Sequence, residues 1–255
     1  MIKLKTKEQI STMAEGGKLL SQLLGQLKDA VRPGITTKSL DKLARELVFK
    51  SAEENPEAKI WPAFLGYKDY PASLCTSINE QVVHSLPSNT VLKEGDIISL
   101  DFGIVYKGLN LDSAITVGVG KISKESQKLV DVTQESLDVG ISMVKLGNKL
   151  GDLGYAIQNY IESNGFSVVR DLVGHGIGEK LHEDPYVPNY GEAGEGEVLK
   201  EGMVIAIEPM ATLGDWHVVL GKDGWTWRTK DKSIAAHFEH TIAITKDGPL
   251  ILTRL

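Results

Sequence analysis

An α+β fold made of two similar halves is predicted by two observations on this 255-residue sequence. The first is a repeated order of elements, in which a long helical pattern, a shorter one and then strand-like apolar runs occur twice. The second is a repeated sequence, VLKEG, at residues 91–95 and 198–202. Each copy opens an apolar run that ends in an acid six positions after the glycine, Asp101 in the first copy and Glu208 in the second. An acid at the same point of two buried-looking strands indicates one site built from two related halves.

The segments that precede the two copies also correspond, which favours an internal duplication over a chance match. Val31–Gly34 is followed by Leu40, and Val144–Gly147 by Leu153, in each case six positions after the glycine. No linker rich in proline or serine separates the halves. We therefore predict a single domain over residues 1–255, with the two halves meeting near residue 120.

Both helices predicted in the first half have start or stop signals. Thr6 and Gln9 form a capping box for a helix that Pro33-Gly34 ends. Thr36 or Thr37 caps a second amphipathic helix. The strands predicted to follow an irregular segment at 55–75 are a short pair at 77–85 that turns at Asn79-Glu80, and a hairpin of strands 97–106 and 110–119.

The second half repeats this order. Ser123 caps a helix that runs to about Lys145, and Asn164-Gly165 stops a second helix that begins near Leu150. The elements predicted next are a strand at 166–173, a glycine-rich turn at 174–178, and strands at 204–207 and 238–245. The turn reads GHGIG rather than GxGxxG and no helical pattern starts there, so we expect its glycines to allow close backbone approach around His175 rather than to bind phosphate.

Composition and charge exclude several functional classes. The net charge of −6 argues against broad binding to nucleic acid or anionic membranes, which requires a basic surface. Cys75 is the single cysteine, so an internal disulfide or a thiolate metal cluster is excluded. The N-terminal residues lack the apolar core of a signal peptide, and no apolar run is long enough to span a bilayer. We therefore expect a cytoplasmic protein without a membrane or specific nucleic-acid partner.

Four acids lie on apolar strands that correspond between the halves. Asp101 and Asp112 fall on the two strands of one predicted hairpin, and Glu208 pairs with Glu239 in the second half. Because side chains alternate between the faces of a strand, we expect all four carboxylates to point inward. Each must then be protonated, paired with a base or bound to metal, since burying an unpaired carboxylate is prohibitive. Lysine and arginine are absent from the first-half strands, apart from Lys107 in the turn, which weakens the ion-pair explanation.

His175 adds an imidazole to these acids. Four carboxylates and one neutral histidine carry a formal charge of −4, which two divalent cations balance. Oxygen-rich ligation with one nitrogen suits Mn(II), Fe(II) or Co(II) better than a structural zinc, and zinc stays open. Two such ions with a bridging hydroxide form a hydrolytic centre, because one polarises a carbonyl while the pair lowers the pKa of the nucleophile.

The order and spacing of these residues resemble the type I methionine aminopeptidases over essentially the whole chain. Besides the five ligands, the matching motifs are Asn79-Glu80, His84, Gly174–Gly178, His182-Glu183, Glu208–Met210 and Glu239–Thr241. The resemblance implies the pita-bread fold, in which two pseudo-symmetric αβ halves surround a dinuclear metal site, in its short bacterial-like form. It also implies removal of the N-terminal methionine from nascent proteins and peptides, by attack of a metal-bridging hydroxide on the first peptide bond, with a preference for a small second residue.

The resemblance further implies a role for each residue of the site. Asp101 chelates one metal, His175 and Glu208 hold the other, and Asp112 and Glu239 bridge the two. Glu208 is also implied to be the base that activates the bridging water. His84 would lie over the substrate amide, and His182 would hydrogen-bond a substrate carbonyl. Taken alone, these two histidines are more typical of a structural residue and a surface pair.

The positions that match the methionine pocket of the family are Phe64, Tyr67, Tyr70, Cys75, Leu181 and Trp225, together with His84 and His182. A narrow, aromatic and polarisable pocket suits an unbranched thioether. Without the resemblance, aromatic residues in this irregular segment would more simply form a minor core. The partner implied by the family is the N-terminal methionine of nascent polypeptides, for an enzyme that we expect to be a monomer; a transient contact with the ribosome stays open.

Three alternative functions remain. A prolidase or proline-specific aminopeptidase has a similar metal set but usually a large N-terminal domain with no counterpart in this sequence. A binding protein that kept the fold and lost the metals conflicts with the complete set of ligands and with His84 and His182. A purely structural role for the acids would make Glu208→Gln a folding variant rather than a catalytic one.

Two positions depart from the family pattern. Ser85 stands where glycine is common, which affects the backbone beside His84. His237 stands where glutamine is frequent and has the same strand parity as Glu239, so we expect it to face the site as a hydrogen-bond donor behind the ligands. His217 and His240 are expected to lie outside the catalytic machinery.

Overall fold

The computed structural model describes residues 2–254 and contains four α-helices, two short 3₁₀ helices and fifteen strands. The helices are α1 (Lys7–Ala30), α2 (Thr37–Glu54), α3 (Lys124–Ser142) and α4 (Leu150–Ser163), and the 3₁₀ helices are Pro56–Ala58 and Tyr67–Asp69. The strands are β1 (Trp61–Pro62), β2 (Leu74–Ile78), β3 (Gln81–Val83), β4 (Ile97–Tyr106), β5 (Leu109–Gly118), β6 (Ser167–Val168), β7 (Gly174–Gly176), β8 (Glu183–Val187), β9 (Val204–Ile207), β10 (Met210–Thr212), β11 (Val218–Leu220), β12 (Trp227–Thr229), β13 (Ala235–His237), β14 (Glu239–Thr245) and β15 (Gly248–Ile251). Among residues 2–254, no helix combines the length and the apolar character that crossing a bilayer requires.

The helix starts follow the capping residues that the sequence indicates. The Thr6 hydroxyl accepts the N–H of Gln9 at 3.2 Å, and the Gln9 side chain accepts the N–H of Thr6 at 2.9 Å, which confirms the capping box of α1. Thr36 caps α2 and Ser123 caps α3 through the same kind of side-chain bond. Helix α3 ends at Ser142, earlier than the predicted end near residue 145.

One nine-stranded sheet joins the two halves of the chain. Its order is β1-β4-β5-β14-β9-β7-β8, with β2 paired to β4 and β15 to β14. Within this sheet, the halves are joined by the antiparallel pairing of β5 with β14. Helices α1 and α2 bury their apolar faces in one core cluster and α3 and α4 in another, so each half of the sheet has its own helical cover. This mixed αβ architecture confirms the predicted fold class.

The two VLKEG copies adopt the same local structure. Each copy begins with an isolated antiparallel bridge, between Val91 and Thr36 in the first copy and between Val198 and Lys149 in the second. Each copy ends in a glycine with positive φ whose N–H donates to a carbonyl at 3.0 Å, from Gly95 to Val119 and from Gly202 to Ile244. These correspondences support the internal duplication, which stays a prediction.

Three predicted elements differ from the structure. The strand predicted at 166–173 is wrong in extent, because only Ser167–Val168 pair, as β6. The predicted pair within 77–85 is divided between two sheets, with β2 against β4 and β3 against β12. The predicted turn at 174–178 is wrong in its first three residues, which form β7 between β8 and β9. A Cβ at Gly174 would overlap the Ala206 carbonyl of β9, so this glycine lets two neighbouring strands approach.

Candidate active site

The central strands of the sheet bring acids of both halves onto one face. Asp101 on β4 lies directly opposite Ala114 on β5, and Ala114 lies opposite Glu239 on β14. Directly opposed residues share a face of the sheet, so Asp101 and Glu239 flank Ala114 on the same side. Asp112 lies opposite Gly103, and by strand alternation it occupies this face too. The pairing of β5 with β14 therefore joins the first-half acids to the second-half acid.

His175 and Glu208 complete the cluster from the next two strands. His175 on β7 pairs with Ala206 on β9, and Glu208 follows directly after β9. Nε2 of His175 lies 3.7 Å from Oε1 of Glu208. Nδ1 of His175 lies 2.9 Å from the carbonyl oxygen of Gly176, which can only accept, so Nδ1 carries the proton. The lone pair on Nε2 is consequently directed at the acids, as a metal ligand requires.

The donor set fits divalent cations. Asp112, His175 and Glu239 each offer one ligand atom, and these atoms lie within 4.8 Å of one another. Oδ1 of Asp101 and Oε1 of Glu239 are buried without a hydrogen-bond partner. Buried carboxylate oxygens without donors need a positive charge, and none of the lysines or arginines of residues 2–254 forms an ion pair with these acids. Four carboxylates and one imidazole are the ligands of hard or borderline metals, and Asp101, Asp112, His175, Glu208 and Glu239 are the residues that would hold them.

Burial and mutual repulsion oppose ionisation of the acids in the absence of a cation. Burial raises the pKa of Asp101 to about 7. It also raises the pKa values of Asp112, Glu208 and Glu239 well above their ordinary range, and the charges of neighbouring carboxylates add to the effect. A divalent cation reverses both effects, because it favours the charged form of every acid around it.

The histidines of the site are neutral at pH 7. Burial lowers the pKa of His84 and His175 to about 4, and that of His182 and His237 to about 3. Neutral imidazoles act as ligands or as hydrogen-bond donors and acceptors, with one proton per ring.

One cavity of about 340 Å³ contains every residue predicted for the site. Its lining includes the five ligands Asp101, Asp112, His175, Glu208 and Glu239, and the further predicted residues Phe64, Tyr67, Tyr70, Cys75, His84, Leu181, His182 and Trp225. These residues are spread along the sequence from Phe64 to Glu239, yet they form a single enclosure.

A larger surface groove of about 850 Å³ lies elsewhere, between Leu150 and Tyr190. Its described lining contains no histidine, and the acids Glu192, Glu195 and Glu197 on its rim are exposed. Exposed acids on a rim are solvated and create no demand for a cation. The smaller cavity is therefore the candidate active site, because it contains the buried acids and histidines that the described lining of the larger groove lacks.

Aromatic rings shape the apolar part of this cavity. Tyr70 is in edge-to-face contact with Phe64, at 6.5 Å between centroids, and with Trp225 at 5.2 Å. The single hydrogen of the Tyr70 hydroxyl is shared between the carbonyl oxygens of Leu74 and Ser85, at 3.3 and 3.2 Å, which orients the ring. The wall beside the acids is thus rigid and apolar.

Sequence reasoning missed four residues that line the cavity, Lys68, Leu220, Gly224 and Trp227. Lys68 and Leu220 belong to no motif, and only the fold brings them to the cavity. The sequence Gly224–Trp227 (GWTW) contained a usable signal, because Trp227 is two residues from the predicted Trp225, and both line the cavity.

The remaining histidines lie as expected, His237 and His240 from strand parity and His217 from its distance to any motif. The ring of His237 is buried, and its Nε2 lies 3.6 Å from Oε2 of Glu208, so it faces the acids and not solvent. His240 instead bonds Thr253 through Nδ1 at 2.9 Å, and His217 is exposed beside Asp215.

Comparison with known proteins agrees with this geometry. The model of metallopeptidase family M24 matches residues 11–246. A protein of Clostridium perfringens named methionine aminopeptidase is 49% identical over 99% of each chain, and methionine aminopeptidase 1 of Bacillus subtilis is 46% identical over 100% of each. The crystal structure of methionine aminopeptidase from Thermotoga maritima superposes with a TM-score of 0.95 at 47% identity, over the full length of both chains.

More distant structures share only the fold. The prolidase of Pyrococcus horikoshii has a TM-score of 0.76 at 21% identity, and the match covers 98% of this chain but 63% of the prolidase. The prolidase alternative therefore has much weaker support than the relatives that match end to end. The predicted family and its pita-bread fold are confirmed: the chain belongs to metallopeptidase family M24 and, within it, to the methionine aminopeptidases.

Proposed function

We propose that this chain removes the N-terminal methionine from nascent proteins and peptides, with a preference for a small second residue. The observation that carries the proposal is the convergence of five ligands, four of them buried, and an aromatic pocket in one cavity of about 340 Å³. Such a cavity admits one side chain beside a hydrolytic centre, which is what an exopeptidase acting on a single terminal residue needs.

Two divalent ions are part of the proposal, with Mn, Fe or Co favoured by the oxygen-rich ligands and zinc left open. Asp101 would chelate one ion, His175 and Glu208 the other, and Asp112 and Glu239 would lie between them. When bound, the ions would polarise the scissile carbonyl and lower the pKa of a water molecule. The unpartnered oxygens of Asp101 and Glu239 support this assignment.

Glu208 is the residue proposed to move the proton. Its carboxylate is the least buried of the four acids, and its two oxygens face the Nε2 atoms of His175 and His237, at 3.7 and 3.6 Å. A carboxylate in this position can accept a proton from the attacking water and deliver it to the leaving amine.

His182 and His84 are proposed to bind the substrate through hydrogen bonds. Nδ1 of His182 lies 3.0 Å from the Tyr67 hydroxyl, and the two rings stack. If the hydroxyl donates, Nδ1 accepts and the proton of this neutral ring is on Nε2, where it can be donated to a substrate carbonyl. His84 lines the same cavity and has a φ of +58°. The residue after it is fixed by a main-chain hydrogen bond, because the Thr76 N–H donates to the carbonyl of Ser85 at 3.0 Å.

The selectivity for methionine is assigned to the aromatic end of the cavity. Phe64, Tyr70 and Trp225 form its walls, with Cys75 and Leu181 beside them. An unbranched thioether fits a narrow aromatic slot and gains sulfur–aromatic contacts, whereas a β-branched side chain does not fit such a slot. Tyr67 and His182 line the same cavity and are assigned to the part that contacts the peptide backbone.

An assay of metal-stripped protein tests the proposal directly. Met-Ala, Leu-Ala and x-Pro peptides are incubated with Mn, Fe, Co or Zn, and the released amino acid is quantified. We expect turnover of the Met-Ala peptide only after metal is added, and at least about 100-fold lower turnover of the others. Release of x from x-Pro peptides with no release of methionine would instead support a proline-specific enzyme.

The variant Glu208→Gln separates catalysis from structure. We expect a folded protein with an unchanged circular-dichroism spectrum and kcat reduced by about 10³-fold or more. A variant that loses its fold, without a measurable activity to lose, would favour a structural role for the acids.

The cellular setting is also proposed. N-terminal methionine arises during protein synthesis, so we expect the enzyme to act in the cytoplasm, as a monomer, on chains that are leaving the ribosome. Light scattering coupled to gel filtration measures the molecular mass and so tests whether the enzyme is a monomer. Cosedimentation with ribosomes tests whether it binds them.

A further inference from the structure

Among the lysine and arginine ion pairs of residues 2–254, one is buried on both sides, and it lies beside the active site. Nζ of Lys5 lies 2.5 Å from Oε2 of Glu183, and the two side chains are only 3% and 5% exposed. In every other lysine or arginine ion pair of residues 2–254, at least one partner is more than a third exposed. Withdrawing two charges from water is unfavourable, so a buried ion pair adds little to the stability of the fold. Its presence here indicates a role other than stability.

The carboxylate of Glu183 organises the turn formed by residues 179–183. Its Oε1 accepts the N–H of Lys180 at 2.9 Å, while its Oε2 is held by Lys5. Leu181 and His182 lie between Lys180 and Glu183, and both line the cavity of the active site. The position of Glu183 therefore sets how this turn presents two side chains to the substrate.

Lys5 connects this turn to the strand that leads to Glu208. Its backbone N–H donates to the carbonyl of Gly202 at 2.7 Å, and Gly202 lies two residues before Val204, the first residue of β9. The same residue thus contacts, through its side chain, the turn that carries His182 and, through its main chain, the second VLKEG copy.

Two glycines make room for Lys5. A Cβ at Gly178 would overlap Cε of Lys5, and a Cβ at Gly202 would lie 2.9 Å from the carbonyl oxygen of Lys5. At Gly95, which corresponds to Gly202 in the first copy, a Cβ would meet no described atom within 4 Å. The close passage of the N-terminal segment is therefore a feature of the second half alone.

We propose that Lys5 is a positioning residue for the reaction: through Glu183 it fixes the turn of residues 179–183 and so holds His182 and Leu181 against the substrate. The proposal rests on the peptidase activity proposed above and on the substrate contact of His182. It makes Lys5 part of the active-site architecture, although none of residues 2–6 lines the cavity.

The first test compares two lysines on the same segment. Lys5→Met and Glu183→Gln break the buried pair, whereas Lys3→Met breaks the neighbouring pair with Glu179, whose partners are 52% and 53% exposed. All variants are assayed on a Met-Ala peptide with metal added, at a temperature where each is fully folded. We expect kcat/KM to fall about 10- to 100-fold for Lys5→Met and Glu183→Gln, because small misplacement of a substrate-binding group has effects of this size. The change for Lys3→Met should stay within about twofold.

The second test asks whether the effect passes through His182. In a His182→Ala background, Lys5→Met should cost less than about threefold, because the side chain that it positions is already missing. A loss of the same size in both backgrounds overturns the proposal, as does a folded Lys5→Met enzyme with kcat/KM within about twofold of the wild type. If Lys5→Met does not fold, Lys5→Gln replaces it in both tests, because it keeps a donor near Glu183 without the charge.

A third measurement does not depend on activity. Exchange of the Lys180 amide hydrogen, which is bonded to Glu183, should accelerate at least about 10-fold in Lys5→Met and stay unchanged in Lys3→Met. Unchanged exchange in Lys5→Met overturns the proposal whatever the activity. A wild-type protein without turnover of methionine peptides, by contrast, contradicts the proposed function and leaves this measurement to decide on the turn.

Discussion

Nε2 of His237 lies 3.6 Å from Oε2 of Glu208, and neither ring nitrogen of His237 has a hydrogen-bond partner among residues 2–254. The main chain of His237 is held independently, because its N–H is accepted by the Thr116 hydroxyl oxygen at 2.8 Å. The imidazole is thus a neutral, buried group that faces one oxygen of the proposed catalytic base. The most direct role for it is to donate a hydrogen bond that orients Glu208.

Replacing His237 tests this role. His237→Gln keeps a donor, so we expect kcat within a few fold of the wild type, whereas His237→Leu should lower kcat or metal affinity by about 10- to 100-fold. Steady-state kinetics and metal titration measure the two quantities. His217→Leu, at an exposed histidine outside the cavity, is the matched control. Wild-type kcat and metal affinity in His237→Leu would contradict the role.

Removing the metal should reveal the cost of charging Asp101. Burial raises the pKa of this carboxyl from 3.8 to about 7, so the folded state holds the proton more tightly than the unfolded state. The destabilisation caused by such a group grows as the pH rises from about 4 to about 7, and it reaches its full size above about 7. In the presence of a chelator, Asp101→Asn should therefore raise Tm by about 2 °C or more at a pH of about 8, and by less at a pH of about 5.

Two comparisons complete the Asp101 experiment. With metal present the order should reverse, because the variant loses a ligand and with it part of the stabilisation by bound ions. Asp247→Asn, at an exposed acid, should leave Tm unchanged under all conditions. A Tm difference for Asp101→Asn that is independent of pH would show that the buried carboxyl does not titrate as argued.

Truncating Trp225 should weaken the selectivity for methionine. Its ring packs edge-to-face on Tyr70 at 5.2 Å and lines the cavity. We expect Trp225→Ala to raise KM for a Met-Ala peptide about 10-fold with a smaller change in kcat, because the ring contributes apolar contact that substrate and transition state share. Trp216→Ala removes a tryptophan that stacks on His217 outside the cavity, and its KM should match the wild type. Equal KM values for both variants would place the methionine side chain elsewhere.

Ser85 stands where the family resemblance implies glycine, and its side chain is buried. Its hydroxyl accepts a hydrogen bond from Ser77 at 3.1 Å. Ser85→Gly should lower the free energy of unfolding by about 1–2 kcal/mol, through the lost bond and the greater freedom of the unfolded chain. Denaturant titration measures this loss, and Ser77→Ala should reproduce the part due to the bond. An unchanged midpoint in both variants would mean that the hydroxyl pair contributes nothing.

Much of the fold follows from local signals in the sequence. Side-chain caps such as Thr6 and Ser123 mark helix starts, and the long strands β4 and β5 are rich in apolar residues, with the turn Lys107-Gly108 between them. These signals are local, because the residues that define each element are neighbours in the chain. The family resemblance then supplied the site residues, and the fold brings all of them to one cavity.

The elements that escaped prediction depend on distant partners. Gly174–Gly176 carries the signature of a turn, but it is a strand because β8 and β9 flank it closely. Strands β10 to β13 are three residues each, too short for a periodic pattern, and they exist only through pairing. The cavity residues Lys68 and Leu220 were missed for the same reason, since tertiary contacts and not local patterns place them.

The pairing of β5 with β14 also sets the time at which the protein becomes able to act. The Asp112 N–H and the Thr241 hydroxyl, which bond at 3.1 Å across this pair, are 129 residues apart in the chain. Contacts between such distant residues form late, because closing a long loop loses entropy before any contact repays it. We expect catalytic competence to appear only in the final step of folding, and during synthesis only after Glu239 has emerged from the ribosome. A newly made copy should therefore process other chains only after its own chain has been synthesised beyond Glu239.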